Sequence, residues 1–295
     1  MNRKVLLVLT GESFRYDYGR TRGCEDCRER QYIASRSHVE LCNNIKNNHN
    51  YDVDLFINTY KLNDVDDEIL INYYKNLTNV VKYNFHETCF DCEYLLHNNT
   101  YDNINEIIDN YEFILMIRID FYIKKYFFNI LEFDCHKIKF AHIDTNQVYI
   151  DINNIEFNKD DIKSKSYLVC HNIILYPKKF FFTIKNKYVY NQTHHIRDSL
   201  IHNGIDINDI DYFVYTLHVS NTALGWNPLY IQVGRYYNNT INKNNLSCSF
   251  VEYNYCKLND IFKHDIIKTI TNYEQYLNTD TLEEQLLSLN NKLLF

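Results

Sequence analysis

The sequence predicts an α/β protein with a mostly parallel central sheet flanked by helices. Short apolar runs alternate with amphipathic stretches in the first half of the chain, an arrangement typical of βαβ units. One run, Phe113–Ile117, is wholly apolar, as expected of a strand that is buried on both faces. Hydrophobic residues make up 45% of the 295 residues, which indicates a folded globular protein.

The apolar runs and the stretches with helical spacing give the expected order of elements. In Arg28–Asn44, for example, Ile33, Ser37 and Leu41 fall on one face of a helix. Gly204 is the expected stop signal of a later helix. We predict strands at Val5–Leu9, Asp54–Thr59, Val80–Phe85, Phe113–Ile117, Lys137–Ile143, Tyr167–Tyr176 and Tyr212–Leu217. We predict helices at Arg28–Asn44, Asp66–Asn76, Ile104–Tyr111, His195–Asn203, Asn259–Leu277 and Thr281–Leu294.

No Pro-, Ser- or Gly-rich segment divides the chain into two halves. We therefore expect one domain over residues 1–258, with a helical extension over residues 259–295 packed on it. The first apolar run, Val5–Leu9, is shorter than the apolar part of a secretory signal, and no later run reaches transmembrane length. We expect a soluble protein in a reducing compartment, where most of its 9 cysteines are free thiols.

The charge and the residue usage limit the function and suggest a source. A formal net charge of -7 argues against broad nucleic-acid binding, and a phosphorylated ligand would need locally clustered Arg or Lys. Asn, Ile, Tyr, Lys and Asp are abundant, whereas the chain has only 2 Pro and 6 Gly. Residues with AT-rich codons are thus favoured, as in a giant DNA virus or a protist.

A charged pair follows the apolar run at Phe113–Ile117. Asp120 comes directly after this predicted strand, at the sheet edge where open α/β sheets bind ligands. There Asp120 could hold a divalent cation, and Arg118 could lie beside it near the same edge. Together they could form a site for a metal and a diphosphate. The alternative is that Asp120 caps the next segment and Arg118 forms a surface ion pair.

The predicted loop after the first strand, residues 10–23, is rich in glycine and arginine. Glycines such as Gly11 let the backbone approach a ligand, and Arg15, Arg20 and Arg22 could neutralise a diphosphate. The loop lacks the Gly-Lys-Ser/Thr ending of a P-loop and the glycine spacing of a dinucleotide fingerprint. The alternative interpretation is a solvated basic loop.

Three further features have a metal-binding and a structural interpretation. Cys24 and Cys27 form one Cys-x-x-Cys pair and Cys89 and Cys92 another, so the four thiolates could hold a structural zinc ion or be unrelated free thiols. His218 directly follows an apolar run and could bind a metal or move a proton. Alternatively, it belongs to a packed turn.

The order and spacing of several motifs resemble a known family. The chain is similar to glycosyltransferase-like proteins of the GT-A type, found in large DNA viruses and some bacteria. The similarity spans roughly residues 5 to 235. Besides His218, it rests on Gly11-Glu-Ser-Phe-Arg15, Arg20-Thr-Arg-Gly23, Gln31-x-x-Ala-Ser-x-Ser-His38, Arg118-x-Asp120, Tyr176-Pro-Lys-Lys179 and Asn227-Pro-Leu-Tyr230.

The resemblance implies a Rossmann-like nucleotide-sugar domain. Thr10, Gly11, Glu12 and Arg15 would hold the nucleotide, and Arg20, Arg22 and Arg118 would assist at the diphosphate. Asp120 would bind Mn²⁺ or Mg²⁺ through the donor diphosphate, and His218 would complete the metal shell. The chain departs from the family's Asp-x-Asp motif, because Arg118 replaces the first Asp.

The function implied is a metal-assisted glycosyltransferase that acts in viral glycan synthesis. Asp120 would serve the leaving group and Asp144 would be the base, with His171 and Asn172 as other candidates for the base. The partners would be a nucleotide sugar and a glycan or glycoprotein acceptor, and the chain could form a homodimer. We expect it in the host cytoplasm or virus factory, or associated with the virion. The alternatives are a sugar nucleotidyltransferase and a non-catalytic virion or interaction protein.

Overall fold

The structure is a computed structural model, which describes ten stretches of the chain. They are residues 3–14, 27–75, 78–87, 93–141, 143–144, 168–169, 172–184, 196–213, 217–218 and 229–232. The predicted helices at Asn259–Leu277 and Thr281–Leu294 lie outside these stretches. The division at residue 258 therefore stays a prediction.

Strands and helices alternate from Lys4 to Arg118, as the sequence predicts for the first half of the chain, whereas several later strands of the described part follow one another without a helix between them. The strands are β1 Lys4–Gly11, β2 Asp52–Tyr60, β3 Asn79–His86, β4 Phe113–Arg118, β5 Phe121–Ile123, β6 Ile138–Phe140, β7 Ile143–Asp144, β8 Leu168–Val169, β9 Ile173–Pro177, β10 Ile210–Tyr212, β11 Leu217–His218 and β12 Tyr230–Gln232. The α-helices are α1 Cys27–His49, α2 Asp64–Lys75, α3 Glu93–Asn105, α4 Lys125–Ile130, α5 Lys178–Ile184 and α6 Ile196–His202, with 3₁₀ turns at Ile108–Asn110 and Ile207–Asp209.

A seven-stranded sheet forms the centre of the molecule, in the order β10-β6-β9-β4-β1-β2-β3. The pairs β1–β2, β2–β3, β1–β4 and β6–β10 are parallel. Strand β9 runs antiparallel to both of its neighbours, β4 and β6. The predicted mostly parallel sheet flanked by helices is thus confirmed, and β9 is the reversed strand within it.

Both faces of the sheet are covered, which explains why its central strands are continuously apolar. On one face, Leu7 and Leu115 pack in a cluster that includes Leu41 of α1. On the other face, Val8 and Met116 pack in a second cluster with residues of α3 and α6. Burying a Leu, Val or Met side chain contributes about 1.5–3 kcal/mol, so strands β1 and β4 contribute much of the core.

The strand order reverses between β1 and β4, and we call the carboxyl edge of these two strands the crevice. From β1 the chain continues to β2 and β3 on one side, whereas β4 lies on the other side of β1. In open α/β sheets, ligands bind at such a reversal of strand order.

The predicted helix Ile104–Tyr111 is wrong. The helix in this region, α3, ends at Asn105, and a 3₁₀ turn follows at Ile108–Asn110. The residues of α3 are polar and rich in Asn, so they give a weak helical signal. Tertiary packing nevertheless stabilises the helix, because Leu96, Tyr101 and Ile104 are buried.

Two predicted strands are each split in two. Lys137–Ile143 forms β6 in the central sheet and β7 in a three-stranded sheet of order β11-β7-β8. Tyr167–Tyr176 likewise forms β8 in the small sheet and β9 in the central sheet. An apolar run shows burial but not the sheet to which it belongs, so the sequence did not reveal these breaks.

The predicted helix stop at Gly204 is confirmed. The N–H of Ile205 donates to the carbonyl of Leu200 (3.0 Å), and the N–H of Gly204 donates to that of Ile201 (2.9 Å). Gly204 has a φ of +91°. These two bonds form a Schellman motif, in which glycine avoids the strain of a left-handed residue.

In the described part of the chain, no helix is long and apolar enough to cross a membrane.

We predict that Gly11→Ala lowers the free energy of unfolding. Gly11 ends β1 with a φ of +118°, and a Cβ atom built there meets nothing within 4 Å. The expected loss of roughly 1–3 kcal/mol therefore comes from backbone strain alone. Urea denaturation of the variant measures it, and equal stability of variant and wild type would refute the strained conformation.

Candidate functional site

Several predicted site residues meet at the carboxyl edge of β1 and β4. Thr10 lies opposite Arg118 in the register of these two parallel strands. The N–H of Ile119 donates to the carbonyl of Thr10 (2.9 Å), which extends the strand pairing into the turn that carries Asp120. The structure thus brings Thr10, Gly11, Arg118 and Asp120 to the crevice at the reversal of strand order.

Asp120 forms a buried ion pair with Arg118. Nε of Arg118 donates to Oδ1 of Asp120 (3.0 Å), and Nη2 donates to Oδ2 (3.4 Å). The side chain of Asp120 is 1% exposed and that of Arg118 is 12% exposed. The alternative prediction, in which Arg118 forms an ion pair at the surface, is therefore wrong, because the ion pair is buried. Removing one partner of a buried pair typically costs 3–5 kcal/mol.

A set of aromatic and amide groups holds Arg118 from the other side. Its guanidinium lies 5.6 Å from the centre of the Phe121 ring, and this ring stacks on Tyr230 at 4.1 Å. The backbone N–H of Arg118 donates to the carbonyl of Asn172 (3.2 Å), and Nδ2 of Asn172 donates to the hydroxyl of Tyr230 (3.0 Å). The antiparallel pairing of β5 with β12 places Phe121 beside Tyr230.

Gln31 of α1 connects the segments that follow β1 and β4. This buried side chain accepts a hydrogen bond from the N–H of Phe14 (3.2 Å) and donates to the carbonyl of Ile119 (2.9 Å). Phe14 itself has a φ of +42°, unusual for a non-glycine residue. One amide side chain therefore satisfies a backbone donor and a backbone acceptor on the two sides of the crevice.

Ser37 and His38 lie further along α1 and contact the segment after Asp120. Oγ of Ser37 accepts from the N–H of Ile123 (2.9 Å), and Nδ1 of the buried His38 lies 2.9 Å from the hydroxyl of Tyr74. Burial lowers the pKa of His38 to about 4, although the Phe121 backbone and the Asp120 carboxylate act in the opposite direction. The imidazole is therefore neutral at pH 7.

A chain of polar side chains lies under the carboxyl ends of β1, β2 and β3. Nε2 of His86 lies 2.8 Å from Oδ1 of Asn58, and Nδ2 of Asn58 donates to Oγ1 of Thr100 (2.6 Å). Thr100 lies 3.4 Å from Thr10, measured between the two hydroxyl oxygens. Asn58, His86 and Thr100 were not predicted from the sequence. For Asn58 and His86 the available signal was a polar residue near the end of a strand, whereas Thr100 lies on α3 and gave no such signal.

The turn after β1 is fixed by Thr59 of β2. Oγ1 of Thr59 donates to the carbonyl of Gly11 (2.7 Å) and accepts from the N–H of Ser13 (3.3 Å). Glu12 lies between these two residues and is half-buried. The predicted nucleotide-binding residues Gly11 and Glu12 therefore belong to a turn with a defined conformation.

Other predicted residues are described only in part. Asp144 and His218 lie opposite each other on the paired parallel strands β7 and β11, although their side chains are outside the described part. Cys27 begins α1, and its side chain is also outside it. The remaining candidates lie outside the described residues: Arg15, Arg20, Arg22, Cys24, Cys89, Cys92 and His171.

The described side chains around Asp120 fit a divalent cation poorly. Both carboxylate oxygens accept hydrogen bonds from Arg118, so the pair carries no net charge to attract Mn²⁺ or Mg²⁺. Among the residues that the structure describes, no group of three or more His, Cys, Asp or Glu side chains could hold a metal ion. Because the side chain of His218 is not among them, the predicted metal site stays a prediction.

The sequence matches no protein-family model and no curated protein. Three solved structures illustrate what the fold is similar to. The catalytic domain of Drosophila beta1,4-galactosyltransferase 7 is 10% identical, with 80% of this chain and 72% of that chain covered and a TM-score of 0.42. A glycosyltransferase involved in the glycosylation of the major capsid of PBCV-1 is 10% identical, with coverages of 78% and 92% and a TM-score of 0.37.

The third structure is the nucleoside-diphosphate-sugar pyrophosphorylase from Vibrio cholerae. It is 11% identical, with 73% of this chain and 92% of that chain covered and a TM-score of 0.44. With TM-scores this low, these similarities assign no activity to the chain.

We predict that acid destabilises the protein through His38. The pKa of His38 is about 4 in the folded state against 6.5 ordinarily, so the unfolded state binds the proton first as the pH falls. The contribution of neutral His38 to the free energy of unfolding is fully present above pH 6.5 and is lost as the pH falls from 6.5 to 4. It amounts to roughly 3 kcal/mol. In urea denaturation across this range, the free energy of unfolding of His38→Gln should depend less on pH than that of the wild type. His136→Gln should show the wild-type pH dependence, because His136 is exposed.

We also predict that Gln31→Leu destabilises the crevice. The substitution leaves the N–H of Phe14 and the carbonyl of Ile119 buried without their partner, so the free energy of unfolding should fall by roughly 1–3 kcal/mol. Arg36→Ala is the matched control, since Arg36 is an exposed residue of the same helix and should change stability by less than about 0.5 kcal/mol. Equal effects of the two substitutions in urea denaturation would contradict the bridging role.

Proposed function

We propose that the protein is a glycosyltransferase that transfers a sugar from a nucleotide sugar to a glycan or glycoprotein acceptor. The observation that carries this proposal is the placement of Arg118. Its guanidinium is fixed by Asp120 at the carboxyl end of β4, beside Thr10 and Gly11 of β1. A fixed cation at the crevice of an open α/β sheet is suited to a ligand that contains a diphosphate.

The reaction requires charge stabilisation at the leaving group. The acceptor oxygen forms a bond to the anomeric carbon, and the bond from this carbon to the diphosphate oxygen breaks. The electron pair of the broken bond stays on the nucleoside diphosphate, and the acceptor proton passes to a base. A guanidinium that is already oriented stabilises the negative charge on the leaving oxygen without rearranging during the reaction. The guanidinium of Arg118 is already oriented, because two of its N–H groups donate to Asp120.

Asp144 is the proposed base. Asp144 follows β6, the strand that lies between β9 and β10 in the central sheet. In the small sheet, Asp144 is paired with His218 across β7 and β11. A carboxylate there could accept the acceptor proton, with His218 beside it in the register. In the proposal, the arginines of the loop after β1, namely Arg15, Arg20 and Arg22, bind the diphosphate together with Arg118.

The proposed biological setting is viral glycan synthesis in the host cytoplasm or virus factory. Two sequence features support it. One is the preference for residues with AT-rich codons, and the other is the resemblance of the motifs to GT-A type proteins of large DNA viruses. A homodimer and an association with the virion belong to the same proposal.

Product analysis separates this proposal from its alternatives. A glycosyltransferase consumes a nucleotide sugar and releases a nucleoside diphosphate. A sugar nucleotidyltransferase instead consumes a nucleoside triphosphate and a sugar phosphate and releases pyrophosphate. A non-catalytic protein releases neither product. The protein is incubated with UDP-, GDP- and CDP-sugars together with a glycan or glycoprotein acceptor, and separately with nucleoside triphosphates and sugar 1-phosphates. Chromatography of the nucleotides then distinguishes all three.

We predict that removing the ion pair weakens nucleoside diphosphate binding. The double substitution Arg118→Gln with Asp120→Asn removes both charges, so neither is left buried without its partner. If Arg118 makes charged hydrogen bonds to the diphosphate, the loss of about 1.5–3 kcal/mol raises the dissociation constant roughly 10- to 150-fold.

Isothermal titration calorimetry with UDP, GDP and CDP makes this measurement. Arg3→Gln is the matched control, because Arg3 pairs with Glu112 at the amino end of β1, on the opposite edge of the sheet. The control should bind as the wild type does. Unchanged binding by the double variant would place the diphosphate elsewhere on the protein.

A further inference from the structure

We propose that Arg118 takes the place of a divalent cation, so that the site binds a nucleoside diphosphate without metal. This inference rests on the proposed function and changes one part of the sequence prediction, the role of Mn²⁺ or Mg²⁺. It assigns Asp120 a different task from metal ligation. Asp120 would anchor the guanidinium, and the guanidinium would contact the diphosphate.

Arg118 already occupies both oxygens of the Asp120 carboxylate. Each oxygen of Asp120 accepts one N–H of Arg118, at 3.0 Å and 3.4 Å. A cation bound directly to Asp120 would have to share these oxygens with a guanidinium, which is always protonated. It would also lie close to a positive charge in an environment where Asp120 is only 1% exposed.

Besides Asp120, Arg118 contacts Asn172 and Phe121. Its backbone N–H donates to the carbonyl of Asn172 (3.2 Å), and its guanidinium lies over the ring of Phe121. The ring of Phe121 is in turn stacked on Tyr230. Moving the guanidinium aside for a cation would break its contact with the Phe121 ring and leave Asp120 buried without its counter-ion. Such a rearrangement is costly, since an unpaired buried charge is strongly disfavoured.

The residue type at position 118 also disfavours a dication. Where a second carboxylate would add to the attraction for a dication, the chain has Arg118 and thereby a permanent positive charge. A guanidinium can form charged hydrogen bonds to the oxygens of a diphosphate, whose charge a dication otherwise neutralises.

The test is isothermal titration calorimetry of the wild-type protein with UDP, GDP and CDP, in excess EDTA and in Mn²⁺. Mn²⁺ alone is titrated separately. We expect at least one nucleoside diphosphate to bind in EDTA, with a dissociation constant within about threefold of its value in Mn²⁺. We expect Mn²⁺ alone to give no saturable binding.

Each other result has a defined meaning. Binding of a nucleoside diphosphate only in Mn²⁺, or saturable binding of Mn²⁺ alone, would overturn this inference and leave the proposed function in place. Absence of binding by all three nucleoside diphosphates in both conditions would overturn the proposed function and this inference together.

The substitution Arg118→Asp gives the converse experiment, because it creates an Asp-x-Asp sequence. Its binding of the nucleoside diphosphate in EDTA should fall by at least about tenfold and should recover on addition of Mn²⁺. If this variant does not fold, the double substitution Arg118→Gln with Asp120→Asn replaces it. The double variant should lose binding equally in EDTA and in Mn²⁺. Its recovery by Mn²⁺ would contradict the assignment of the cation's role to Arg118.

Discussion

The carboxylate of Asp120 is buried just after an apolar strand. The arrangement of the crevice follows from the need to balance the negative charge of this carboxylate. Asp120 is 1% exposed, and an isolated charge at that depth would be strongly destabilising. Arg118, two residues earlier in the chain, supplies the counter-charge with two hydrogen bonds. The pair is therefore formed locally, whereas its surroundings come from distant segments. This local pairing is what makes a fixed guanidinium available at the crevice between β1 and β4.

Helix α1 stabilises the backbone on both sides of that pair. Gln31 and Ser37 form hydrogen bonds with backbone groups of the segments that follow β1 and β4. His38 lies on the same helix and remains neutral at pH 7, because burial lowers its pKa to about 4. Polar residues on the buried face of a helix normally weaken packing, but Gln31 and Ser37 pair with backbone groups that would otherwise be buried without partners. Because His38 is buried and neutral, we expect the protein to be sensitive to acid.

The sequence predicts the features that depend on neighbouring residues and misses those that depend on distant ones. The strands β1 to β4, the position of Asp120 after a strand and the stop at Gly204 each follow from a local pattern, and the structure confirms them. The bridge made by Gln31 joins residues 88 positions apart, and no periodicity reveals it. The pairing of β5 with β12 is also between distant segments, so the contact of Phe121 with Tyr230 was missed.

The central claim is that the diphosphate of a nucleotide sugar binds at the carboxyl edge of β1 and β4, against Arg118. A crystal structure of the protein with the nucleoside diphosphate that stabilises it most tests this claim directly. The account predicts diphosphate oxygens within hydrogen-bond distance of the Arg118 guanidinium, with the Arg118–Asp120 ion pair still formed. A diphosphate bound at another part of the surface, or a metal ion bound to Asp120 in place of Arg118, would contradict it.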